Sequence, residues 1–443
     1  MRLINFFAVF LFIFFSAFCS CHSGANKLKI PAVDTVGIKI PDPTPIPKED
    51  FERYYADVKY FYDNKLLRTG FNGGILVAKK GQVIFEAYHG FFNLRKKDSL
   101  TKHSAFHLAS VSKTFTAMAT LKLAQMGKLS INDDVRKYFP AFPYENVTVR
   151  CLLSHRSGLP NYIYFMQKLG WNTKQHCTNQ DVLDYMIKFK PPAMSKPDTH
   201  FFYCNTNYAL LGLIIEKASG ESYTYFLQQQ FFTPLHMNDT YIYDVKKDSA
   251  TAMPSYDWRG RQEGFTFLDC GFGDKNVYST PEDLLKWDQA LYSNKIFTPQ
   301  TLQEAFTPYS NEKPGIRNYG FGWRMNVYPN GKKVIYHNGW WHGNNAVFIR
   351  MIQDSVTIIV LGNKYNRNIY DAKDMEGYFD PGVLLNGREN EEISNEEINT
   401  NESSEELLSK KIKYSSKKMH LRSHVKRHLK KPVKKHTKSK KKK

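Results

Sequence analysis

Ser110 and Lys113 stand three residues apart in the run His107-Leu108-Ala109-Ser110-Val111-Ser112-Lys113-Thr114, where a helical pattern over residues 111–126 begins. Side chains three apart on a helix share a face. An amine can therefore reach a hydroxyl, the least machinery that turns a serine into a nucleophile. At the helix N-terminus Ser110 would also meet unpaired N–H groups and the positive end of the dipole, which favour developing negative charge. A lysine accepts a proton only when neutral or partnered, which requires burial or nearby positive charge. The competing reading of the pair is a capping serine and a solvated lysine. Two further runs could supply partners. Tyr203-Cys204-Asn205 offers a phenol, whose ionisation falls below its usual value of about 10 beside a cationic lysine, and an amide that both donates and accepts. His337-Asn338-Gly339 offers an imidazole, mostly neutral near neutral pH, and a glycine that allows close backbone approach. Taken singly, Tyr203 also reads as a core aromatic and His337 as a strand histidine bonded to backbone.

The elements that must hold these residues are legible in outline. Residues 49–67 carry Phe51, Tyr54, Tyr55, Val58 and Phe61 at helical spacing. Residues 73–80 and 82–88 are β-rich runs around Gly81, a hairpin signal. Residues 129–190 mix short apolar runs with Pro, Gly and aromatics and read as a mostly helical insertion. A helix over 207–218 stops at Gly220, and Ser279-Thr280 caps another over 281–291, with Pro281 in its first turn. Three β-rich runs, 333–337, 346–351 and 356–361, come late. Two strands early and three late predict one sheet closed by the two ends of the chain, with the middle forming a separate lobe.

Several runs in order carry a resemblance: residues 71–90, the Ser110 run, Gly127-Lys128-Leu129, Leu152-Leu153-Ser154-His155-Arg156-Ser157-Gly158-Leu159-Pro160, Tyr203-Cys204-Asn205, Pro234-Leu235-His236-Met237-Asn238-Asp239-Thr240, Tyr319-Gly320-Phe321-Gly322-Trp323 and His337-Asn338-Gly339. Together, over residues 71–363, they resemble the beta-lactamase-related serine hydrolases, in the branch of class C beta-lactamases, D-alanyl-D-alanine carboxypeptidases and related esterases. The resemblance implies a mixed α/β (α+β) fold of the beta-lactamase/transpeptidase type, an antiparallel sheet flanked by helices plus a mostly helical lobe. It implies that Ser110 attacks a carbonyl and forms an acyl-enzyme, that Lys113 and Tyr203 share the proton, and that Asn205 positions the substrate amide and the lysine. It places His337 on an edge strand facing Ser110, with the N–H groups of Ser110 and Trp340 as the oxyanion hole and Gly339 admitting the backbone. His337 stands where many relatives carry the lysine of K-T-G. That departure removes a fixed positive charge for a substrate carboxylate and favours an ester or peptide substrate over a penicillin or D-Ala-D-Ala terminus. Cys204 departs from the usual Ser or Ala. Trp340-Trp341-His342 either wall the pocket or pack over the sheet, and His155 and Ser157 read as packing residues of a structural loop.

Composition bounds the rest. The 443 residues are 42% hydrophobic and 15% aromatic, ample for a core. The net charge of +20 misleads: 17 of the 62 Lys and Arg lie in 410–443, which holds no Asp or Glu, and the remainder nearly balances 42 acidic residues. No basic face for nucleic acid is implied. Arg2, an apolar run over 3–18 and Cys19-Ser20-Cys21 read as a signal peptide (1–21) of lipoprotein type, with Cys21 lipidated and membrane-anchoring. Residues 22–48, with Pro31, Pro41, Pro43, Pro45 and Pro47, read as a stiff tether. The hydrolase domain is expected over 49–385. The tail over 386–443, with eight Glu between 389 and 406 and then the lysine-rich run, is expected to be disordered, its basic part meeting anionic envelope polymers or lipid. Export implies an oxidising compartment, yet Cys151, Cys177, Cys204 and Cys270 are irregularly spaced and read as buried free thiols. No metal-ligand spacing, phosphate loop or dinucleotide loop appears, so no cofactor is expected. The reading is an exported, lipid-anchored serine hydrolase of the bacterial cell envelope, acting on a small-molecule or peptide substrate. The alternatives are a beta-lactamase or D,D-carboxypeptidase, and a catalytically weak module that binds envelope ligands.

Overall fold

A computed structural model describes residues 41–383 of the chain. The expectations for the signal, Cys21, most of the tether, and the tail fall outside the described residues. The seven strands of the main sheet are β1 (Gly73–Lys79), β2 (Gln82–His89), β3 (Arg317–Tyr319), β4 (Arg324–Val327), β5 (Lys333–Trp341), β6 (Asn344–Met351) and β7 (Val356–Gly362). They run β2-β1-β7-β6-β5-β4-β3, every neighbouring pair antiparallel. The early hairpin thus joins the last strand, as two strands early and three late require. β3 and β4 were not anticipated, because Arg-Asn-Tyr and Arg-Met-Asn-Val are short and carry little apolar alternation.

β6 and β7 are buried at every residue, so the sheet is covered on both faces. One face (Ile75, Val77, Val347, Ile349, Ile358 and Val360) packs against Tyr54, Val58 and Phe61 of helix α1 (Lys48–Phe61) and against Ile369, Ala372 and Met375 near the end of the described chain. α1 then runs on through a wider turn over Tyr62–Leu66 and a 3-10 turn over Leu67–Thr69, extending close to the expected 49–67. The proline-rich residues just before α1 lie on the hairpin: Thr44 N–H donates to the Lys80 carbonyl at 2.9 Å and Ile46 N–H to Gln82 Oε1 at 3.0 Å.

Four more helices pack on the sheet or on one another beside it. Among them, α2 (Ser112–Gln125) is enclosed on nearly every side, with eleven of its fourteen residues buried. α3 (Asn179–Phe189) opens on a reciprocal cap between Thr178 and Asp181. α4 (Asn205–Ser219) ends at Gly220, whose φ of +76° is the left-handed stop expected of a glycine. α5 (Pro281–Ala290) begins with Thr280 capping Asp283. α5 is pinned to the sheet by a buried cluster in which Thr357 Oγ donates to Asp288 Oδ2 at 2.5 Å and Arg350 Nε donates to the same carboxylate. The expected helical insertion is present as Val149–Leu153, Tyr162–Lys168 and α3.

Candidate active site

Ser110 sits in a 3-10 turn, Ala109–Val111, that leads into α2, rather than at the cap of an α-helix. No side-chain capping bond forms at either element's start, so the capping reading of Ser110 is not what the structure contains. The turn is braced from both sides. Ala109 adopts φ +48°, a conformation costly for a residue with a Cβ. Its N–H donates to His107 Nδ1 at 3.1 Å, and His107 Nε2 meets Asn276 Oδ1 at 3.0 Å. β5 presses on the turn from the other side: a Cβ at Gly339 would stand 2.2 Å from the Leu108 carbonyl oxygen.

Lys113, one turn into the helical run, is fully buried. Its Nζ lies 2.9 Å from Ser110 Oγ and 2.8 Å from the Asp274 carbonyl oxygen. Burial drives its pKa down to about 7; the Asp274 charge opposes the fall, and Lys275 and Arg324 add to it. A large fraction of the amine is therefore neutral near neutral pH, with its lone pair within reach of a hydroxyl proton. This is the condition for a lysine base that spacing alone left open.

Tyr203 faces the same lysine. Its ring centroid is 5.1 Å from Lys113 Nζ, 4.9 Å from Arg324 Cζ, 4.4 Å from the His155 ring and 6.2 Å from the His337 ring. Cys204 is fully buried behind it, and Asn205, half-buried, opens α4. The loop expected to pack does so. His155 Nδ1 accepts from the Cys204 N–H at 3.2 Å and from Asn207 Nδ2 at 3.0 Å, and Ser157 Oγ donates to Asn207 Oδ1 at 2.5 Å. These bonds set the direction in which the Tyr203-Cys204-Asn205 run enters the site.

His337 is buried on β5, beyond Tyr336, the last β5 residue paired with β4. From there the outer edge of β5 is open towards the Ser110 turn. His337 Nδ1 is 2.7 Å from the Asn338 carbonyl oxygen and Nε2 is 3.3 Å from the Tyr319 hydroxyl. Burial, then Arg324 and Lys113, hold it well below its usual pKa, so it is neutral. The backbone bond expected of a structural strand histidine is thus present in a ring that also faces Tyr203. Gly339 makes room for the nucleophile's own turn. Trp340 is 59% exposed and its indole donates to the His342 carbonyl at 2.9 Å, so it does not pack over the sheet. Trp341 and His342 instead hold Asp269, at 2.5 Å and 3.0 Å.

Sequence reading missed Tyr162, Asp274, Lys275 and Arg324, which surround Lys113 electrostatically or through one hydrogen bond. The only signal was Gly271-Phe272-Gly273 ahead of two adjacent opposite charges, a pattern that also fits a surface turn.

Residues 66–378 match the family model described as Beta-lactamase. The chain is 33% identical over 319 residues to penicillin-binding protein 4* of Bacillus subtilis (strain 168), covering 68% of this chain and 70% of that one. It is 27% identical over 300 residues to protein flp of Staphylococcus aureus (strain N315), covering 65% of this chain and 59% of that protein's length. Among solved structures, the octameric penicillin-binding protein homologue from Pyrococcus abyssi superposes with a TM-score of 0.63 at 26% identity, over 74% of this chain and 77% of its own. The mixed fold, its antiparallel sheet and the extent of these matches agree: the chain belongs to the beta-lactamase family and is a serine hydrolase of the acyl-enzyme type.

Proposed function

We propose that Ser110 is the acylated residue and that Lys113, with Tyr203 sharing the proton, is its base. The observation that carries this is the 2.9 Å contact between a buried amine with a pKa of about 7 and the Ser110 hydroxyl. Neutral Lys113 accepts the Oγ proton as Oγ bonds to the substrate carbonyl carbon, and the resulting tetrahedral oxyanion is met by the N–H groups of Ser110 and Trp340. Each such donor contributes roughly 10²–10³ in rate. Collapse expels the alcohol or amine, which leaves with a proton from Lys113 or Tyr203, and water then releases the acyl group by the same steps. Asn205 orients the substrate amide. A neutral His337 supplies no fixed charge for a carboxylate, which favours an ester, peptide or amide over a beta-lactam or D,D-terminus.

The remainder of the reading is export through residues 1–21, lipidation at Cys21, attachment to the bacterial envelope, and contact of the basic tail with anionic polymer or lipid. The names of the penicillin-binding relatives are in keeping with an envelope location.

A fluorophosphonate or penicillin probe followed by peptide mapping tests the central step. Label on Ser110 with ester turnover is expected. Stable acylation without release would favour the binding-module reading, and absence of label on folded chain would overturn the assignment. A panel of esters, D-amino-acid peptides and beta-lactams ranks the substrate classes. Cys21→Ala should release the protein from the membrane fraction, and truncation after Leu385 should lower retention on anionic vesicles while leaving ester turnover intact.

A further inference from the structure

The lysine base is held by a segment that contributes nothing to the nucleophile–phenol pair itself. Two successive carbonyls of that segment, Gly273 and Asp274, accept from α2: Thr116 Oγ donates to the Gly273 oxygen at 2.6 Å and Lys113 Nζ to the Asp274 oxygen at 2.8 Å. Further on, Val277 N–H donates to Ser112 Oγ at 3.0 Å. Gly273, at φ +90°, lies so close to α4 that a Cβ would stand 2.4 Å from the Tyr208 carbonyl oxygen. The segment is clamped between the two helices that carry the candidate residues.

The side chains of this segment form a buried polar set centred on one carboxylate oxygen, Asp274 Oδ2, while Oδ1 is buried without a hydrogen-bond partner. The Asp274 carboxylate accepts from the Tyr162 hydroxyl at 2.9 Å and from Lys275 Nζ at 3.1 Å, while Lys275 Nζ also donates to the Tyr162 oxygen. Lys275 lies over the Trp341 ring at 4.6 Å from its centroid. The two charged side chains are only 3% and 2% exposed. A buried ion pair adds little to stability compared with apolar residues of similar volume, so stability alone does not account for one here. Its position does. The base is faced by Asp274 and Lys275 from this segment, Arg324 from β4, Tyr203, Cys204 and Tyr208 from the run into α4, and the neutral imidazoles of His155 and His337.

We propose that Asp274, Lys275 and Tyr162 are positioning residues for Lys113: their mutual bonds fix the carbonyl that takes one Lys113 proton and thereby aim the amine's lone pair at Ser110. The proposal rests on the reading of Lys113 as base. The neutral amine gives one N–H to the Asp274 carbonyl and receives the Ser110 proton on its lone pair. At Nζ the Asp274 charge is opposed by Lys275 and Arg324, so part of its pull towards the protonated amine is offset and burial keeps the upper hand.

The test follows phosphonylation of Ser110 by a fluorophosphonate in the full-length chain between about pH 5 and pH 10, the range over which such a base titrates. In that step the Oγ–P bond forms, the P–F bond breaks, fluoride leaves and the hydroxyl proton passes to Lys113. Lys275→Met leaves the Asp274 charge opposed only by the more weakly acting Arg324, and the acidic limb of the rate profile is expected to move up by about one pH unit, a tenfold loss of rate on that limb. Asp274→Asn is expected to move it down by a comparable amount. Tyr162→Phe keeps both charges and loosens only the carbonyl; its plateau rate is expected to fall about tenfold. Circular dichroism fixes the folded fraction, and where the charge variants do not fold, Tyr162→Phe decides. Unchanged limb and plateau in the folded variants overturn the positioning role while leaving Lys113 as base. Wild-type labelling in Lys113→Met overturns the base assignment itself.

Discussion

Gly339 stands against Leu108 so closely that a single added methyl would lie 2.2 Å from the Leu108 carbonyl oxygen and 3.1 Å from the Ala109 Cβ. β5 and the nucleophile's turn are therefore one packed unit. Gly339→Ala should displace the turn at a cost of about 1–3 kcal/mol, the range for an overpacked site. Because small misplacements at a reacting centre cost about 10²-fold in rate, ester turnover should fall far more than the melting temperature does. Calorimetry with a turnover assay on the same sample separates the two.

Lys113 must be neutral to accept a proton, so activity rises with pH through its pKa of about 7 and is lost below it. The acidic limb of the rate of Ser110 acylation is expected near that value. Lys113→Met should lower acylation by about 10²–10⁴-fold, the usual share of a general base. A limb near the ordinary lysine range would place the base elsewhere.

Arg350→Met should be severely destabilising, because it leaves the Asp288 carboxylate buried with only the neutral donors Thr357 and Gln289 as side-chain partners. Breaking one side of a buried pair costs about 3–5 kcal/mol, while replacing both sides by apolar residues is often near neutral. Urea unfolding of Arg350→Met beside an Arg350→Met/Asp288→Leu double variant should recover most of the loss in the second.

Glu376 is buried, and that burial pushes its carboxyl up from 4.5 to about 8. A carboxyl whose folded pKa is raised favours the folded state below the unfolded pKa, and that advantage declines as pH rises from 4.5 towards 8. The decline is at most about 1.4 kcal/mol per pH unit. Glu376→Gln should flatten the dependence between those values in urea unfolding.

The four cysteines of the described core are free, and burial pushes the Cys204 thiol up to about 11. Cys204 beside Tyr203 is therefore inert rather than redox-active. Of these four, only Cys270 is partly exposed, and alkylation of native protein should modify it first and leave Cys204 until the chain unfolds. Mass mapping of the alkylated peptides checks the order.

The sequence made the hydroxyl–amine pair, the hairpin, the three late strands and the approximate α4 and α5 boundaries readable, because each follows from local spacing: three residues on a helical turn, alternation on a strand, glycine or proline at an end. It hid what depends on residues distant in the chain. The depression of Lys113 arises chiefly from burial, modulated by Asp274, Lys275 and Arg324, more than 150 residues away, and nothing in Ser-Val-Ser-Lys announces it. The glycine at 339 signals a close backbone approach, but not that the Leu108 carbonyl of the nucleophile's own turn is among the groups it approaches. Trp340 was weighed as wall or packing, and its exposure was not legible because it depends on how β5 turns into β6.

Ala109 holds its left-handed twist through an N–H that needs an unprotonated imidazole nitrogen, and His107 supplies it only while uncharged. Burial lowers His107 to about 4, against 6.5 for a free imidazole, so acidification first charges the unfolded chain and then takes the acceptor from the native one. Between pH 6.5 and 4 this histidine therefore withdraws its own share of the fold's stability, and stronger acid unseats the hydroxyl's own support. One histidine thereby ties the shape of the nucleophile's turn to the acidity the folded chain can bear.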